Sequence, residues 1–181
     1  MERLLLHSCC GPCSSAVIER LIKDYDVTVF YFNPNITDEP EYVHRRDEQR
    51  RLIEEAYPDV KFIEGKYDPA EFYLAASGLE GEPEGGRRCE KCFILRLKET
   101  ARLAAEQCYD CFDTTLTVSP HKNYEVISAV GRQMEALYGV KYLSGNYKKQ
   151  NGYMRSVELS RQYSLYRQNY CGCEFSKWFD K

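Results

Sequence analysis

Nine cysteines supply most of the chemistry that this chain of 181 residues could perform. They form four groups, which are Cys9, Cys10 and Cys13; Cys89 and Cys92; Cys108 and Cys111; and Cys171 and Cys173. A chain of this length buries enough surface to fold without cross-links, and its cysteine content is below that of disulfide-built secreted domains. Its amino-terminal apolar stretch is too short for a secretory signal. We therefore expect a cytoplasmic protein whose thiols bind metal or carry electrons.

Two of the groups are arranged like metal ligands. Cys89 and Cys92 are three residues apart at the start of a predicted helix, so both sulfurs point to one side. Cys9 and Cys10 are adjacent, and a non-helical loop could aim both at one target. Four thiolates are the ligand set of a [4Fe–4S] cluster or of a zinc ion. The alternative is that they are small buried hydrophobes, but a metal centre is favoured because both pairs lie at loop-to-helix junctions.

The string Cys10-Gly11-Pro12-Cys13 also matches the dithiol motif of thioredoxins, which follows a strand and opens a helix. Thioredoxin-like folds usually place a strand and a helix before this motif, whereas here a single strand precedes it. A four-residue match transfers poorly without its structural context. A thioredoxin-like disulfide reductase therefore stays an alternative function, and a zinc-containing RNA-binding module is a second one.

The string Cys171-Gly172-Cys173 is a further unusual element. A disulfide between residues two apart closes a small, strained ring that is readily reduced, and Gly172 provides the backbone freedom that the ring needs. The pair suits an electron-carrying dithiol or two more metal ligands.

Cys108 and Cys111, by contrast, bracket a helix-to-strand junction and are predicted to pack in the core.

Alternating strand and helix patterns must position these cysteines. The predicted strands are Arg3–Ser8, Val27–Phe32, Val60–Ile63, Phe112–Leu116 and Val140–Leu143. The predicted helices are Ser14–Lys23, Glu41–Ala56, Cys89–Gln107, Tyr124–Leu137 and Val157–Tyr166, with a long loop over Ser77–Arg88. This order predicts a Rossmann-like three-layer α/β fold, in which helices cover both faces of a mainly parallel five-stranded sheet.

We expect a single α/β domain over residues 1–181, with a carboxy-terminal helical extension from about residue 144 that carries the Cys-Gly-Cys string. No apolar run is long enough to span a membrane.

Charge is unevenly distributed along the chain. The net charge of −3 argues against a protein that coats nucleic acid non-specifically. Residues 144–170, however, contain five basic residues and one acidic residue, and seven of the fifteen tyrosines lie between Tyr138 and Tyr170. Basic residues interleaved with aromatic rings are typical of surfaces that bind unstacked RNA bases, although a solvated charged face is an equal interpretation of the composition.

Four ordered strings make the chain resemble the QueH-type epoxyqueuosine reductases. These strings are Cys9-Cys10-Gly11-Pro12-Cys13, Arg88-Cys89-Glu90-Lys91-Cys92-Phe93 with Arg96-Leu97, Thr115 to Asn123, and Tyr166 to Cys173. The resemblance implies a cobalamin-independent oxidoreductase that converts epoxyqueuosine at the wobble position of tRNA to queuosine. It also implies a HUP-like fold, similar to that of tRNA-modifying ATP pyrophosphatases. Those enzymes have a Ser/Gly-rich pyrophosphate loop where this chain has cysteines, which argues against the use of ATP.

The resemblance also assigns roles to residues. It implies that Cys9, Cys10, Cys89 and Cys92 hold a [4Fe–4S] cluster and that Cys171 and Cys173 form a redox-active pair. It further implies a second, mononuclear iron, for which the available ligands are Cys13, Cys171, Cys173 and Asp113.

The partners expected from the resemblance are the modified tRNA and an electron donor that the sequence does not identify. We predict that five basic side chains contact tRNA phosphates, namely Lys122, Lys148, Lys149, Arg155 and Arg167. An enzyme that meets one tRNA at a time has no evident need to assemble, so we expect a monomer.

Overall fold

Five strands form one sheet in the computed structural model, which describes residues 1–177. In chain order they are β1 (Glu2–Ser8), β2 (Tyr25–Tyr31), β3 (Lys61–Glu64), β4 (Cys111–Thr114) and β5 (Lys141–Tyr142). Their order across the sheet is β3–β2–β1–β4–β5, and every neighbouring pair is parallel. The α/β fold class predicted from the alternating pattern is confirmed.

Six α-helices connect and cover these strands within residues 1–177. They are α1 (Gly11–Leu21), α2 (Glu39–Ala56), α3 (Pro69–Ala76), α4 (Arg87–Glu106), α5 (Tyr124–Tyr138) and α6 (Gly152–Gln162). Leu5 on β1 packs with residues of α4 and α5, whereas its neighbours Leu4 and Leu6 pack with residues of α1 and α2. Because adjacent strand residues point to opposite faces, this split places a hydrophobic core on each side of the sheet.

Several boundaries differ from those predicted, and local capping explains them. Helix α1 begins at Gly11 rather than at Ser14, because Cys10 caps it and Pro12 suits its first turn. The fourth strand ends at Thr114 rather than at Leu116, because the Thr114 side chain accepts a hydrogen bond from the Leu116 amide and starts a 3-10 turn over Thr115–Val118.

Two helices in the structure depart further from the sequence pattern. Helix α3 was not predicted, and Asp68 caps it at its start. The last helix covers Gly152–Gln162 instead of Val157–Tyr166, since the chain turns through a left-handed residue at Ser164. The extension predicted from residue 144 continues to residue 181, and its last four residues, 178–181, lie outside the described part of the chain.

The strand order creates a crevice next to the first cysteines. Strands β2 and β3 follow β1 along one direction of the sheet. The chain then returns, and β4 pairs with the opposite edge of β1. Ligands of open α/β sheets bind at such a switch point, beyond the carboxyl ends of the strands. The loop after β1 contains Cys9 and Cys10 and therefore lies where this fold offers a binding site. Among residues 1–177, no helix is both long and apolar enough to cross a membrane.

Candidate metal and redox site

Three thiols meet in the loop between β1 and α1. Cys10 has an extended backbone and caps α1, and its sulfur accepts a hydrogen bond from the Cys13 amide at 3.4 Å. The Cys9 and Cys10 sulfurs are 3.8 Å apart, and the sulfurs of Cys9, Cys10 and Cys13 all lie within 4.8 Å of one another. Three soft donors at this spacing can bind one metal centre.

These three thiols share negative charge unequally. Hydrogen bonds with Cys10 and Cys13 hold the pKa of Cys9 well below its usual range. Burial raises the pKa of Cys10, and hydrogen bonds to Cys10 and Cys9 raise that of Cys13. The loop therefore favours one thiolate and two thiols, and a bound metal would displace the remaining protons.

Cys89 lies in the first turn of α4 and Cys92 in the second, three residues apart and therefore on one side of the helix. The Cys89 sulfur accepts a hydrogen bond from the Gly85 amide at 3.3 Å, and the Cys92 sulfur accepts one from Nη1 of Arg96 at 3.5 Å. Burial raises the pKa of both thiols. The pair forms a second group of sulfur donors, separate from the tight cluster of Cys9, Cys10 and Cys13.

Cys171 and Cys173 form the third group. Gly172 between them has a φ of 107°, which L side chains rarely adopt. The Cys171 sulfur lies 3.2 Å from the Ser176 hydroxyl oxygen. A hydrogen bond with Cys173 holds the pKa of Cys171 well below its usual range, and the same contact raises that of Cys173. The dithiol is therefore asymmetric, with Cys171 as its nucleophilic member.

Two neighbouring cavities bring the three groups together. One is lined by Cys89, Cys92, Cys171 and Cys173. The other has a volume of about 310 Å³, and its wall contains Cys13 and Cys171. Cys171 lines both cavities, so the carboxy-terminal dithiol stands between the Cys9–Cys13 loop and the start of α4.

Two cations lie among the sulfurs. Arg96 is buried, and its Nη2 donates to the side-chain oxygen of Asn33 at 3.3 Å. Its Nε is buried and has no hydrogen-bond partner within residues 1–177. Lys122 lines both cavities; burial alone would lower its pKa, but the charges of nearby Cys9, Cys171 and Cys13 raise it. Lys122 was predicted to contact tRNA phosphate, and no local pattern in the sequence indicates its sulfur neighbours. Arg96 had no predicted role, although its spacing of four residues from Cys92 on the predicted helix is the signal that places it beside that sulfur.

This environment fits a thiolate-bound iron–sulfur cluster. Such a cluster in its oxidised form has a net charge of about −2 with four thiolates, and hydrogen bonds to its sulfurs stabilise that charge. Arg96 and Lys122 supply positive charge, and the Nε of Arg96 is a buried donor that has no acceptor among the residues that the structure describes. Thiol sulfurs beside buried cations are the kind of surroundings in which an anionic thiolate cluster is stabilised.

Asp113 is buried at the end of β4 and has protein partners on both carboxylate oxygens. Oδ1 accepts a hydrogen bond from the Thr114 amide at 2.9 Å, while Oδ2 accepts hydrogen bonds from the Gly145 amide and the Tyr147 hydroxyl. It lines neither cavity. These contacts tie the loop after β5 to the sheet.

The predicted tRNA contacts have different environments. Arg167 lines the 310 Å³ cavity, where its guanidinium lies 6.0 Å from the centre of the Tyr153 ring. Lys148 donates a hydrogen bond to the Lys122 carbonyl oxygen, and Lys149 is exposed. Arg155 instead forms ion pairs with Glu19 and Glu158, at 2.7 and 2.9 Å. Its charge is therefore neutralised by the contact between α6 and α1.

Other cysteines and tyrosines differ from their predicted surroundings. Cys111 is fully buried on β4, as predicted, but Cys108 is exposed in a left-handed turn, so its predicted packing role is wrong. Tyr142 and Tyr147 are buried, whereas Tyr153 and Tyr170 line the 310 Å³ cavity. Only part of the tyrosine-rich segment is therefore available to a ligand.

The thioredoxin-like interpretation fits the local geometry poorly. The first thiol of a thioredoxin motif is accessible and has a lowered pKa. Cys10 is fully buried, and burial raises its pKa. The motif begins a helix here, but its leading cysteine lacks the properties of an attacking thiolate.

Comparison with known proteins gives one consistent match. The model of the family described as "Epoxyqueuosine reductase QueH" matches residues 4–178. The chain is 41% identical to epoxyqueuosine reductase QueH of Staphylococcus epidermidis, over 96% of this chain and 76% of that protein. It is 43% identical to the protein of that name from Streptococcus pyogenes, over 96% of this chain and 69% of that one. It is 35% identical to the protein of that name from Thermotoga maritima, over 97% of this chain and 91% of that one.

Proposed function

The chain belongs to the epoxyqueuosine reductase QueH family, and we propose that it reduces epoxyqueuosine at the wobble position of tRNA to queuosine in the cytoplasm. The epoxide oxygen leaves as water and a carbon–carbon double bond remains, which consumes two electrons and two protons. The observation that carries the proposal is the convergence of three thiol groups on two cavities that share Cys171.

In this proposal Cys9, Cys10, Cys89 and Cys92 would hold a [4Fe–4S] cluster, which would transfer electrons one at a time. The pairing of two loop thiols with two thiols of α4 is supported by Arg96. Its guanidinium donates to the Cys92 sulfur, and its charge interacts with Cys9. A cation shared by the two groups favours a single anionic centre between them.

Cys171 and Cys173 supply the electron pair. Two thiols that join as one disulfide release two electrons and two protons, which equals what the epoxide consumes. The lowered pKa of Cys171, caused first by its hydrogen bond with Cys173, makes it the more reactive sulfur. An external electron donor must then reduce the disulfide before the next turnover.

A second, mononuclear iron is the remaining cofactor of the proposal, and it would act as a Lewis acid toward the leaving oxygen. Cys13 is the thiol left to hold it throughout the reaction, and Cys171 and Cys173 could add to its ligands only while they are reduced. Cys13 and Cys171 line the same cavity. Asp113 is left out of this ligand set because both of its oxygens already accept hydrogen bonds from the protein.

The 310 Å³ cavity is the proposed entrance for the modified nucleoside. It has the volume of a small-molecule pocket, and its lining combines Arg167 and Lys122 with the rings of Tyr153 and Tyr170. We propose that Lys148, Lys149 and Arg167 contact the phosphates of the anticodon loop. One chain contains all of these groups, which supports a monomer as the active species.

Incubation of the reduced, anaerobically prepared protein with epoxyqueuosine-bearing tRNA tests the proposal. A zinc-containing RNA-binding module would be colourless and would leave the nucleoside unchanged. A thioredoxin-like reductase would reduce the disulfides of insulin and lose that activity in Cys13→Ser but not in Cys89→Ser.

A further inference from the structure

One face of α2 holds the carboxy-terminal segment, which is residues 163–177. Glu41, Arg45, Glu48 and Arg51 are spaced by four, three and three residues, so their side chains lie on one side of the helix. Each of them contacts the segment: Glu41 accepts from the Tyr166 hydroxyl, Glu48 accepts from the Tyr166 amide, and Arg51 donates to the carbonyl oxygens of residues 163 and 164.

Arg45 makes the contact nearest to the dithiol. Its Nη1 donates to the Cys171 carbonyl oxygen at 3.1 Å and its Nη2 to the Tyr170 carbonyl oxygen at 3.0 Å, while Nε donates to Glu41 at 2.7 Å. The side chain is 1% exposed. A buried guanidinium is strongly destabilising when its N–H groups lack partners, so Arg45 requires these two carbonyl oxygens to stay in place.

The opposite edge of the segment is held as well. The Thr37 amide donates to the Gly172 carbonyl oxygen at 3.4 Å, and Nδ2 of Asn35 donates to that of Cys171 at 3.4 Å. A Cβ atom at Gly172 would lie 2.6 Å from Cγ1 of Ile36. The backbone on both sides of the Cys171 sulfur is therefore bound by side chains and loops that contribute no thiol.

We propose that Arg45 is a positioning residue, which holds the backbone of Cys171 so that its sulfur faces the Cys9–Cys13 loop and the start of α4. The inference rests on the proposed function only in giving this dithiol a redox role. Arg45 acts through main-chain oxygens, so its loss would displace Cys171 without removing any sulfur.

The test is the rate at which iodoacetamide alkylates Cys171 in the full-length reduced protein, compared at equal iron content. Arg45→Met should raise that rate by at least about tenfold, because local opening of the segment becomes easier. Arg51→Met is the matched control, since Arg51 binds the same segment farther from the dithiol; it should change the rate by less than about threefold. Arg45→Lys should recover part of the protection, because a single ammonium can still donate to one carbonyl oxygen.

Equal rates in Arg45→Met and the unaltered protein would overturn the inference, as would equal rises in Arg45→Met and Arg51→Met. If Arg45→Met does not fold, Gly172→Ala answers the same question, because it displaces the segment from Ile36 and leaves α2 intact. It should give a comparable rise, and an unchanged rate would again overturn the inference. Alkylation needs no tRNA, so a failure of queuosine formation by the unaltered protein is a separate result that concerns only the proposed function.

Discussion

Nε2 of Gln168 donates a hydrogen bond to the sulfur of Cys10 at 2.8 Å. The contact joins two residues that are 158 positions apart in the sequence, and it links the carboxy-terminal segment to the thiol loop after β1. N–H donors to ligand sulfurs raise the reduction potential of iron–sulfur clusters. Gln168 therefore couples the environment of a proposed cluster ligand to the docking of the segment that holds the dithiol.

Replacing Gln168 by Ala should lower the cluster reduction potential by tens of millivolts, as an order of magnitude. The thiolate loses a donor and its negative charge is less well stabilised. A redox titration followed by electron paramagnetic resonance measures the shift. Gln162→Ala, at the exposed end of α6, is the control; equal potentials in the two variants would contradict the role of Gln168.

Cys89→Ala and Cys92→Ala should each lose most of the bound iron, because a [4Fe–4S] cluster with three protein ligands is less firmly held. Iron analysis and visible absorption of anaerobically purified protein measure the loss. Cys108→Ala is the matched control, since Cys108 is exposed and away from both cavities, and it should keep its iron. Full iron content in Cys89→Ala would disprove the proposed ligand set.

The combined variant Lys148→Ala and Lys149→Ala should weaken tRNA binding and flatten its dependence on salt. Each lost phosphate contact reduces the slope of log K against log salt by about 1. Arg155→Ala is the comparison, because Arg155 is paired with Glu19 and Glu158 and its loss should leave the slope nearly unchanged. A slope unaffected by the loss of both lysines would remove them from the interface.

Asp113→Asn should change how stability depends on pH. Burial raises the pKa of Asp113 to about 7 from its usual 3.8, although Tyr147, Thr114 and Gly145 donate to its carboxylate. Between about pH 4 and pH 7, Asp113 is therefore protonated in the folded protein and ionised in the unfolded chain. Because the folded state binds the extra proton, this group lowers the free energy of unfolding as pH rises through that range.

His7 acts in the opposite direction. Burial lowers its pKa to about 3 from 6.5, so the unfolded chain binds more protons and stability rises with pH between those values. Urea unfolding of Asp113→Asn should show the rise in stability that His7 causes, without the fall that Asp113 causes in the unaltered protein. Its unfolding free energy relative to the unaltered protein should increase by at least about 1 kcal/mol from pH 4 to pH 7. A constant difference would mean that Asp113 is ionised throughout.

Local patterns in the sequence were sufficient to predict the sheet and the thiol groups. Strand β1 followed from its apolar run, and helix α2 followed from its charged sequence and the proline after it. The pairing of Cys89 with Cys92 followed from helical spacing. Helix α3 was missed because its eight residues are too few for a periodic signal, and its start depends on the Asp68 cap. The Thr114 cap that shortens β4 is likewise a side-chain contact that no hydrophobic pattern reveals.

Contacts between distant segments could not be predicted. Arg45 and Gln168 reach the dithiol and Cys10 through side chains whose partners lie more than a hundred residues away. Arg155 was predicted to bind phosphate because its charge is visible in the sequence, while its partner Glu19 lies on another helix. The chemistry could be inferred from residue type, but the choice between a ligand contact and an internal one depends on tertiary structure.

Mass analysis of the nucleosides of epoxyqueuosine-bearing tRNA, after incubation with reduced, iron-loaded protein, tests the central claim most directly. The proposed reaction predicts that epoxyqueuosine disappears and that queuosine, lighter by one oxygen atom, appears in equal amount. Cys171→Ser should retain tRNA binding and lose this conversion. Epoxyqueuosine that persists unchanged with iron-loaded, reduced protein would contradict the claim.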